Sequence, residues 1–277
     1  MTGTLYVVAT PLGNLGDLAP RAAEALRRVS VIAAEDTRRT RGLLSHLGAS
    51  TTLLSFHAHS GERRLDTLLE ILGDGRDVAL VTDAGTPGVS DPGADFVAAA
   101  REAGFTVVPI PGPSAVATAL SAAGMPADRY LFLGFVPRKG AERTRLVARA
   151  AAEEWSVVLF EAPSRLVALL RDLAAAAGPA RRAMVARELT KLHEELRAGT
   201  LAELADYYSE TAPRGELTIV MEGTGTPAPA PDRTTDATEE ATALLAEGLS
   251  RREVARRLTE TLGMPRNDAY RLVMGLP

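Results

Sequence analysis

Short apolar runs alternate with amphipathic stretches along the first half of the chain. The runs are typical of buried strands, and the residues between them repeat apolar positions three or four apart, as one face of a helix does. The predicted strands are Leu5 to Ala9, Val31 to Ala34, Leu53 to Phe56, Val78 to Val81 and Val107 to Ile110. Strands separated by helices are typical of a parallel sheet with helices on both faces. The pattern predicts an α/β domain over residues 1–123.

A second series of strands and helices follows an interruption at residues 124–128. Its predicted strands cover residues 130–134, 157–160, 184–186 and 217–221, so a second α/β domain is expected over residues 124–223. Residues 224–236 are rich in Pro, Gly and Thr without periodicity, which is typical of a linker. Residues 237–277 are predicted to form a small helical C-terminal domain. The fold class expected is therefore α/β, with a mostly parallel first sheet and a helical tail.

One helix of this tail has two contrasting faces. Apolar residues three or four apart share one face, whereas Arg252 and Arg256 lie on the other side. Such a basic face is compatible with a contact to nucleic acid and equally with a solvated surface. Both interpretations stay open at the level of the sequence.

Composition excludes several classes of protein. Hydrophobic residues make up 46% and charged residues 24% of 277 residues, which is typical of a chain that folds. The absence of Cys excludes disulfides, thiolate zinc sites, iron-sulfur clusters and a Cys nucleophile. No uncharged apolar stretch reaches about 18 residues, so a cytoplasmic protein without a membrane segment is expected. The net charge of −4 disfavours nucleic-acid binding over the whole surface but allows local basic patches.

Three loops rich in Gly and Pro follow predicted strands of the first domain. They cover residues 9–17 (ATPLGNLGD), 83–93 (DAGTPGVSDPG) and 109–114 (PIPGPS). Gly and Pro allow a close backbone approach and fix the shape of a loop. Because ligands of open α/β sheets bind at the carboxyl ends of the strands, these loops predict a ligand site.

The loops also narrow the chemistry of the ligand. The chain has no phosphate-binding Gly-rich motif followed by Lys, no Gly-x-Gly-x-x-Gly after the first strand, and no Lys or Arg in the three loops. A phosphate-rich ligand is therefore disfavoured. Asp83 and Asp91 can offset a positive charge while backbone groups hold a nucleoside and an amino acid group. S-adenosylmethionine fits this description.

Seven separated motifs then point to one family. They are, in order, ATPLGN, EDTRRT (residues 35–40), DAGTPGVSDPG, PGPSA, FLGFVP (132–137), FEAPSR (160–165) and RELTK (187–191). In this order they resemble the tetrapyrrole methylase superfamily, and more closely its ribosomal RNA branch, over residues 4–222. The resemblance implies a homodimer of two-domain α/β subunits with S-adenosylmethionine in the cleft between the domains. It also implies 2′-O-methylation of a cytidine in the decoding centre of small-subunit (16S) ribosomal RNA, as naked RNA or within the 30S subunit.

The resemblance also assigns cofactor contacts position by position. In the first domain these are Leu12, Asp83, Ala84, Gly85, Thr86, Ser114 and Ala115; in the second they are Phe160, Glu216 and Leu217. Tetrapyrrole enzymes usually read Gly-Asp-Pro where this chain has Thr82, Asp83 and Ala84. This departure fits the ribosomal branch and weakens a tetrapyrrole substrate.

Methyl transfer to a ribose hydroxyl needs a group that removes the hydroxyl proton. Lys191, Asp36 and Glu188 are the residues we expect to be catalytic. Only two of the 31 basic residues are Lys, which indicates that Lys191 is a position where a titratable cation is needed. We expect its pKa to be lowered. The alternative is chance placement on a surface helix. Asp36 is equally able to hold Arg38 or to cap a helix. No metal is expected.

Basic residues cluster beside these loops and are expected to contact RNA phosphates. The predicted RNA-binding residues are Arg38, Arg39, Arg41, His57, His59, Arg63, Arg138, Lys139, Arg252 and Arg256. Two other functions stay open: a small-molecule methyltransferase acting on a tetrapyrrole-type ring, and a ribosome-binding protein without catalysis.

Overall fold

The structure, a computed structural model, describes residues 2–57, 60–225, 234–262, 264 and 266–276, and leaves the side chains of residues 234–236, 239 and 262 undescribed. The residues fall into two compact units, one within residues 1–226 and the other within residues 227–277. Both predicted α/β series lie in the first unit. The domain boundaries placed at residues 123, 223 and 236 stay predictions.

The first sheet is parallel and has the strand order β3-β2-β4-β1-β5 within the described residues. Its strands are β1 (Thr4–Val8), β2 (Val31–Ala34), β3 (Thr52–Ser55), β4 (Val78–Val81) and β5 (Thr106–Ile110). The helices between and after them are α1 (Pro20–Arg28), α2 (Thr37–His46), α3 (Glu62–Gly73), α4 (Ala94–Glu102) and α5 (Ala115–Ala123).

Alternate residues of the central strands pack on opposite faces of this sheet. In β4, Ala79 and Val81 pack with α1 and α2, whereas Val78 and Leu80 pack with α3 and α4. A strand that is covered on both faces buries every side chain, which explains the unbroken apolar runs in the sequence. The order of the strands places β4, β1 and β5 side by side, so the three Gly- and Pro-rich loops leave the sheet at one edge.

The second sheet is mixed and has the order β6-β7-β10-β8-β9, in which only the β6–β7 pair is parallel among the described strands. Its strands are β6 (Tyr130–Phe135), β7 (Ser156–Glu161), β8 (Arg182–Arg187), β9 (Glu195–Thr200) and β10 (Leu217–Met221). The helices α6 (Ala141–Ala152), α7 (Leu166–Ala177) and α8 (Leu201–Glu210) pack on one face, and α5 covers the other.

Strand β9 was absent from the sequence prediction. It lies at the edge of the sheet and half-exposes most of its residues, including Arg197 and Glu195. An edge strand with charged side chains lacks the apolar run by which buried strands are detected. The predicted fold class is nevertheless confirmed, because the first sheet is parallel and helices pack on both faces of the second sheet.

The second unit contains three helices among its described residues: α9 (Thr234–Ala246), α10 (Arg251–Leu262) and α11 (Arg266–Met274). They enclose a core that includes Val254, Leu258 and Val273. Ser250 and Glu253 form a capping contact at the start of α10, with the Glu253 N–H 3.3 Å from the Ser250 hydroxyl. The apolar face predicted for α10 is the face that is buried in this core.

Candidate active site

A cavity of about 430 Å³ lies at the carboxyl edge of the first sheet, against the second sheet. Its volume is in the range of sites that enclose a small organic ligand, about 300–1,000 Å³. The three loops after β1, β4 and β5 form one wall, and the end of β7 and the start of β10 form the other. All ten residues predicted to contact the cofactor line it: Leu12, Asp83, Ala84, Gly85, Thr86, Ser114, Ala115, Phe160, Glu216 and Leu217.

Backbone contacts hold the three loops together. Thr10 and Gly85 exchange two backbone hydrogen bonds, of 2.9 and 3.0 Å. The Thr86 hydroxyl donates to the Pro113 carbonyl at 3.1 Å, which connects the second loop to the third. Gly85 has a φ of +81°, a backbone conformation that side chains disfavour. The cavity wall is therefore a preformed backbone surface in which a Gly is required.

Carboxylates dominate the charge of the cavity. Glu35, Asp83, Asp91, Glu161 and Glu216 line it, together with one described cation, Arg39. The Arg39 guanidinium lies 3.5 Å from Asp83 Oδ2 and half of its side chain is exposed. The net negative lining favours a ligand that carries positive charge.

Asp83 and Glu35 also support each other through the backbone. The Asp83 N–H donates to Glu35 Oε2 at 3.2 Å, and Asp83 Oδ1 accepts from the Asp36 N–H at 3.0 Å. These contacts join the end of β2 to the end of β4. Asp83 is consequently held in one orientation at the cavity edge.

Asp91 is a carboxylate of this cavity whose pKa is strongly raised. Burial, followed by the charges of Glu35, Asp83 and Glu216, raises its pKa to about 6, against the opposing effect of the polar Thr82 side chain. It follows Ser90, whose φ of +60° is unusual for a residue with a side chain. From the sequence, Asp91 is expected only to offset a positive charge on the ligand.

Lys191 lies beside the cavity rather than on its wall, in the turn between β8 and β9. Its ammonium donates to Glu188 Oε1 at 2.9 Å and to Glu216 Oε2 at 3.2 Å. Although desolvation opposes it, these carboxylates raise the pKa of Lys191, and the same contacts lower the pKa of Glu188. The expectation of a lowered Lys191 pKa was wrong, because two carboxylates accept hydrogen bonds from its ammonium and so favour its charged form. The segment is also a turn, so the surface-helix alternative was wrong.

Lys191 and its neighbours connect the two walls of the cavity. A Cβ atom on Gly13 would lie 2.2 Å from Lys191 Cγ, so the Lys191 stem fits only against a Gly. The Asn14 N–H donates to the Thr190 hydroxyl at 3.1 Å, and Glu188 Oε1 also accepts from the Glu216 N–H at 3.0 Å. Glu188 and Thr190 both have positive φ values, of +52° and +65°. Through these contacts, the turn connects the first loop to the start of β10.

Asp36 is engaged at the start of α2. Its carboxylate caps the helix by accepting from the Arg38 N–H at 2.8 Å and binds the Arg38 guanidinium at 2.7 Å. These contacts lower the pKa of Asp36 to about 2. Both alternatives considered for Asp36 are thus realised together, and neither Asp36 nor Glu188 lines the cavity.

Most residues predicted to bind RNA lie on the surface. Arg38, Arg39, Arg41, His57, Arg63, Arg138 and Lys139 are exposed; His59 lies outside the described residues. In the second unit, Arg252 and Arg256 line a groove of about 710 Å³ with Arg266 and Tyr270. Glu260, 3.4 Å from Arg256, lines the same groove and reduces its positive charge.

The described residues contain neither a cluster of metal ligands nor a membrane-spanning helix. No group of three or more His, Cys, Asp or Glu residues in that part of the chain is arranged to hold a metal ion. None of the described helices is both long enough and apolar enough to cross a membrane.

Comparison with known proteins identifies the family. The sequence profile of the tetrapyrrole (corrin/porphyrin) methylases matches residues 4–205. Ribosomal RNA small subunit methyltransferase I of Synechocystis sp. is 45% identical over 99% of this chain and 98% of its own length. The chain belongs to this family. The protein of the same name from Micromonospora olivasterospora is 46% identical over 98% of this chain and 87% of its own length.

Solved structures support the fold of the family. Cobalt precorrin-4 methyltransferase is similar with a TM-score of 0.63 and 17% identity, covering 79% of this chain and 94% of its own. Uroporphyrin-III C-methyltransferase from Thermus thermophilus, complexed with S-adenyl homocysteine, is similar with a TM-score of 0.57 and 19% identity, covering 79% and 97%. The family predicted from the seven motifs is therefore confirmed.

Some cavity residues were not predicted as site residues. Phe135, Ala162 and Pro163 line the cavity, as do Val89 and Ser90. The first three lie within the quoted motifs FLGFVP and FEAPSR, so the signal was present in the sequence. Only the packing of the two sheets shows that these motifs face the loops of the first domain.

Proposed function

We propose that this protein transfers a methyl group from S-adenosylmethionine to the 2′-hydroxyl of a cytidine in the decoding centre of small-subunit (16S) ribosomal RNA. At the coarser level, the chain is an S-adenosylmethionine-dependent methyltransferase of ribosomal RNA, in keeping with its family. The finer assignment of the ribose position, the base and the location follows from the resemblance of the motifs. The observation that carries the proposal is the cavity with its preformed backbone wall and its carboxylates.

The lining of the cavity fits the methyl donor. S-adenosylmethionine carries a sulfonium and an ammonium, and the carboxylates of Asp83 and Glu35 supply opposite charge near the loops of the first sheet. On the other wall, Phe160 and Leu217 offer apolar surface for a nucleoside base. The cofactor supplies an activated methyl group bound to positively charged sulfur.

The N-terminus of α5 would bind the carboxylate of the methyl donor. Ser114, Ala115 and Val116 line the cavity, and the Ser114 side chain does not cap the helix. The first N–H groups of a helix lack partners within the helix and carry partial positive charge, so they favour an anion. The three charged groups of an amino acid sulfonium would thus each meet an opposite charge.

Lys191 and Glu188 act in this proposal on the position of Glu216. Lys191 holds the Glu216 carboxylate from one side, and Glu188 accepts from the Glu216 backbone N–H. Asp36 likewise orients Asp83 through its N–H and holds Arg38. The three residues predicted to be catalytic would therefore shape the cavity from outside it.

The substrate RNA would contact the exposed basic residues around the cavity. Arg39 lies at its edge, and Arg38, Arg41, His57, Arg63, Arg138 and Lys139 are exposed in the same unit. Arg252 and Arg256 would add contacts from the second unit. Phosphate contacts release counterions, so the affinity for RNA would fall steeply with salt. The homodimer implied by the resemblance and a cytoplasmic location, where ribosomal subunits are found, are part of the proposal.

Two measurements test the proposal. Calorimetry of the purified protein with S-adenosylmethionine is expected to show one site per chain. Mass mapping of ribose methylation in 16S ribosomal RNA, from cells with and without the gene, is expected to show one cytidine that loses its 2′-O-methyl group. Binding without any change in ribosomal RNA would instead favour a small-molecule methyltransferase, and absence of binding would favour a protein without catalysis. Sedimentation of the protein tests the dimer.

A further inference from the structure

Five carboxylates line the cavity, and four of them are engaged by other groups. Glu161 is paired with Arg165. Asp83 accepts from the Asp36 N–H and faces Arg39 at 3.5 Å. Glu216 is held by the Lys191 ammonium at 3.2 Å. Glu35 accepts from the Asp83 N–H at 3.2 Å. Among the described residues, no cation lies within ion-pair distance of Asp91, so its proton affinity is set by burial and by like charges.

The position of Asp91 is built by close packing between the two sheets. It follows Ser90, whose left-handed backbone turns the chain toward the cavity. A Cβ on Gly134 of β6 would lie 2.9 Å from the Ser90 hydroxyl oxygen, and β6 is irregular between Phe132 and Gly134. Gly134 itself has a φ of +65°. The second sheet thus leaves room for the Ser90 turn, which places Asp91 on the cavity wall.

We propose that Asp91 is the general base that removes the proton of the ribose hydroxyl. This inference rests on the proposed function and names a residue for its chemical step. A carboxylate oxygen of Asp91 takes the hydroxyl proton as the ribose oxygen attacks the methyl carbon. A carbon–oxygen bond forms, the carbon–sulfur bond breaks, and its electron pair remains on sulfur as a neutral thioether. The proton leaves the Asp91 carboxyl to water, which restores the base.

The charges around Asp91 tune it for this role. Burial raises its pKa, as do the charges of Glu35 and Asp83 from the first sheet and of Glu216 from the second, while the Thr82 side chain opposes them. Arg39 lies on the same cavity wall. A base whose pKa lies near the working pH combines a useful ionised fraction with proton affinity. The value of about 6 meets this condition better than an ordinary Asp does.

Asp91→Asn tests the inference, with Asp95→Asn as the matched control. Asp95 is exposed in the first turn of α4, four residues further along, and is not part of the cavity. At saturating S-adenosylmethionine and RNA, Asp91→Asn is expected to lower the single-turnover rate about a hundredfold or more. Its affinity for S-adenosylmethionine, measured by calorimetry, is expected to change less than threefold. Asp95→Asn is expected to match the wild type in both.

The pH dependence distinguishes a base from a structural residue. The kcat/KM of the wild-type protein is expected to rise with pH to an inflection near 6 and then to level. Glu35→Gln removes a negative charge that raises the Asp91 pKa, so its inflection is expected at lower pH. Asp91→Asn is expected to lose the inflection. An unchanged inflection in Asp91→Asn, or a wild-type rate at saturation, would overturn the assignment.

A measurement without cofactor or RNA tests the same side chain. The raised pKa means that ionised Asp91 destabilises the folded protein above pH 6 relative to the unfolded chain. Asp91→Asn is therefore expected to unfold at a higher temperature than the wild type at pH 8. The difference is expected to vanish at pH 4, where the folded protein carries a neutral Asp91. If Asp91→Asn and the wild type had the same melting temperature at pH 8 as well as at pH 4, Asp91 would not be in the environment described.

These results also separate this inference from the proposed function. If the wild-type protein methylates no ribose in 16S ribosomal RNA, the proposed function fails, whatever Asp91→Asn does. If the wild type methylates the ribose and Asp91→Asn does so equally well, only the assignment of the base fails. Loss of S-adenosylmethionine binding in Asp91→Asn, with a normal rate at saturation, would make Asp91 a cofactor ligand and overturn its role as base.

Discussion

The contact between Gly13 and the stem of Lys191 makes a specific prediction about stability. A Cβ at Gly13 would lie 2.2 Å from Lys191 Cγ and 3.2 Å from its Cδ and Cε atoms. These are the three nearest atoms to that position. Gly13→Ala is therefore expected to displace the Lys191 side chain and to separate its ammonium from Glu188 and Glu216. The Gly13 backbone does not have a positive φ, so Ala causes no backbone strain of that kind.

The size of the effect follows from the two contacts that are lost. The Lys191–Glu188 pair is partly buried, with side chains 29% and 20% exposed, whereas Glu216 is 64% exposed. Hydrogen bonds to partly buried charged groups contribute about 1.5 kcal/mol, and exposed pairs less than about 1 kcal/mol. After a discount for solvent screening, their combined loss is worth about 1–2 kcal/mol. Replacing Gly by Ala returns about 0.4–1 kcal/mol through the unfolded chain.

A double-mutant cycle isolates this contact. In the wild-type background, Gly13→Ala is expected to lower the free energy of unfolding, whereas in the Lys191→Ala background it is expected to raise it by about 0.4–1 kcal/mol. The coupling energy is therefore expected to be about 1–2 kcal/mol. Urea unfolding followed by fluorescence is suitable, because the single Trp of the chain, Trp155, lies in the unit that contains this contact. An equal cost of Gly13→Ala in both backgrounds would refute the reasoning.

Three further predictions concern the cavity, the Lys191 contact and the tail. Asp83→Ala removes a cavity carboxylate, and Gly85→Val strains a backbone at φ +81°. Each variant is expected to bind S-adenosylmethionine at least tenfold more weakly in calorimetry. Unchanged affinity in both would exclude these residues from the site. Lys191→Arg keeps the cation between its two carboxylates and is expected to retain methyl transfer within a few-fold in single turnover, whereas a loss of a hundredfold would restore Lys191 as the base. Removal of residues 227–277, which form their own unit, is expected to leave S-adenosylmethionine affinity unchanged and to reduce RNA affinity and its salt dependence in filter binding; equal RNA binding would show that Arg252 and Arg256 form a solvated face.

The elements that could be predicted from the sequence are those whose signal is local. A strand buried on both faces, such as β4, requires an unbroken apolar run, and a helix packed on one side requires apolar residues three or four apart. The three ligand loops were predictable for the same reason, since their Gly and Pro residues reflect the backbone conformation at those positions. The edge strand β9 was missed because its charged, half-exposed residues give no such pattern.

The chemistry of individual side chains depended on residues distant in the sequence. Lys191 was conspicuous as a rare Lys, but its pKa is set by Glu216, 25 residues away, and by Glu188 in the same turn. Asp91 was unremarkable in its motif, yet its pKa is raised by Glu35 and Glu216 from two other segments and by Asp83 at the start of its own loop. A motif states which groups are present, whereas a pKa depends on distance and desolvation. The sequence by itself therefore determined the family, the fold class and the loops of the site. Only the tertiary structure decided that burial and three neighbouring carboxylates raise the pKa of Asp91, because charge interactions act through space.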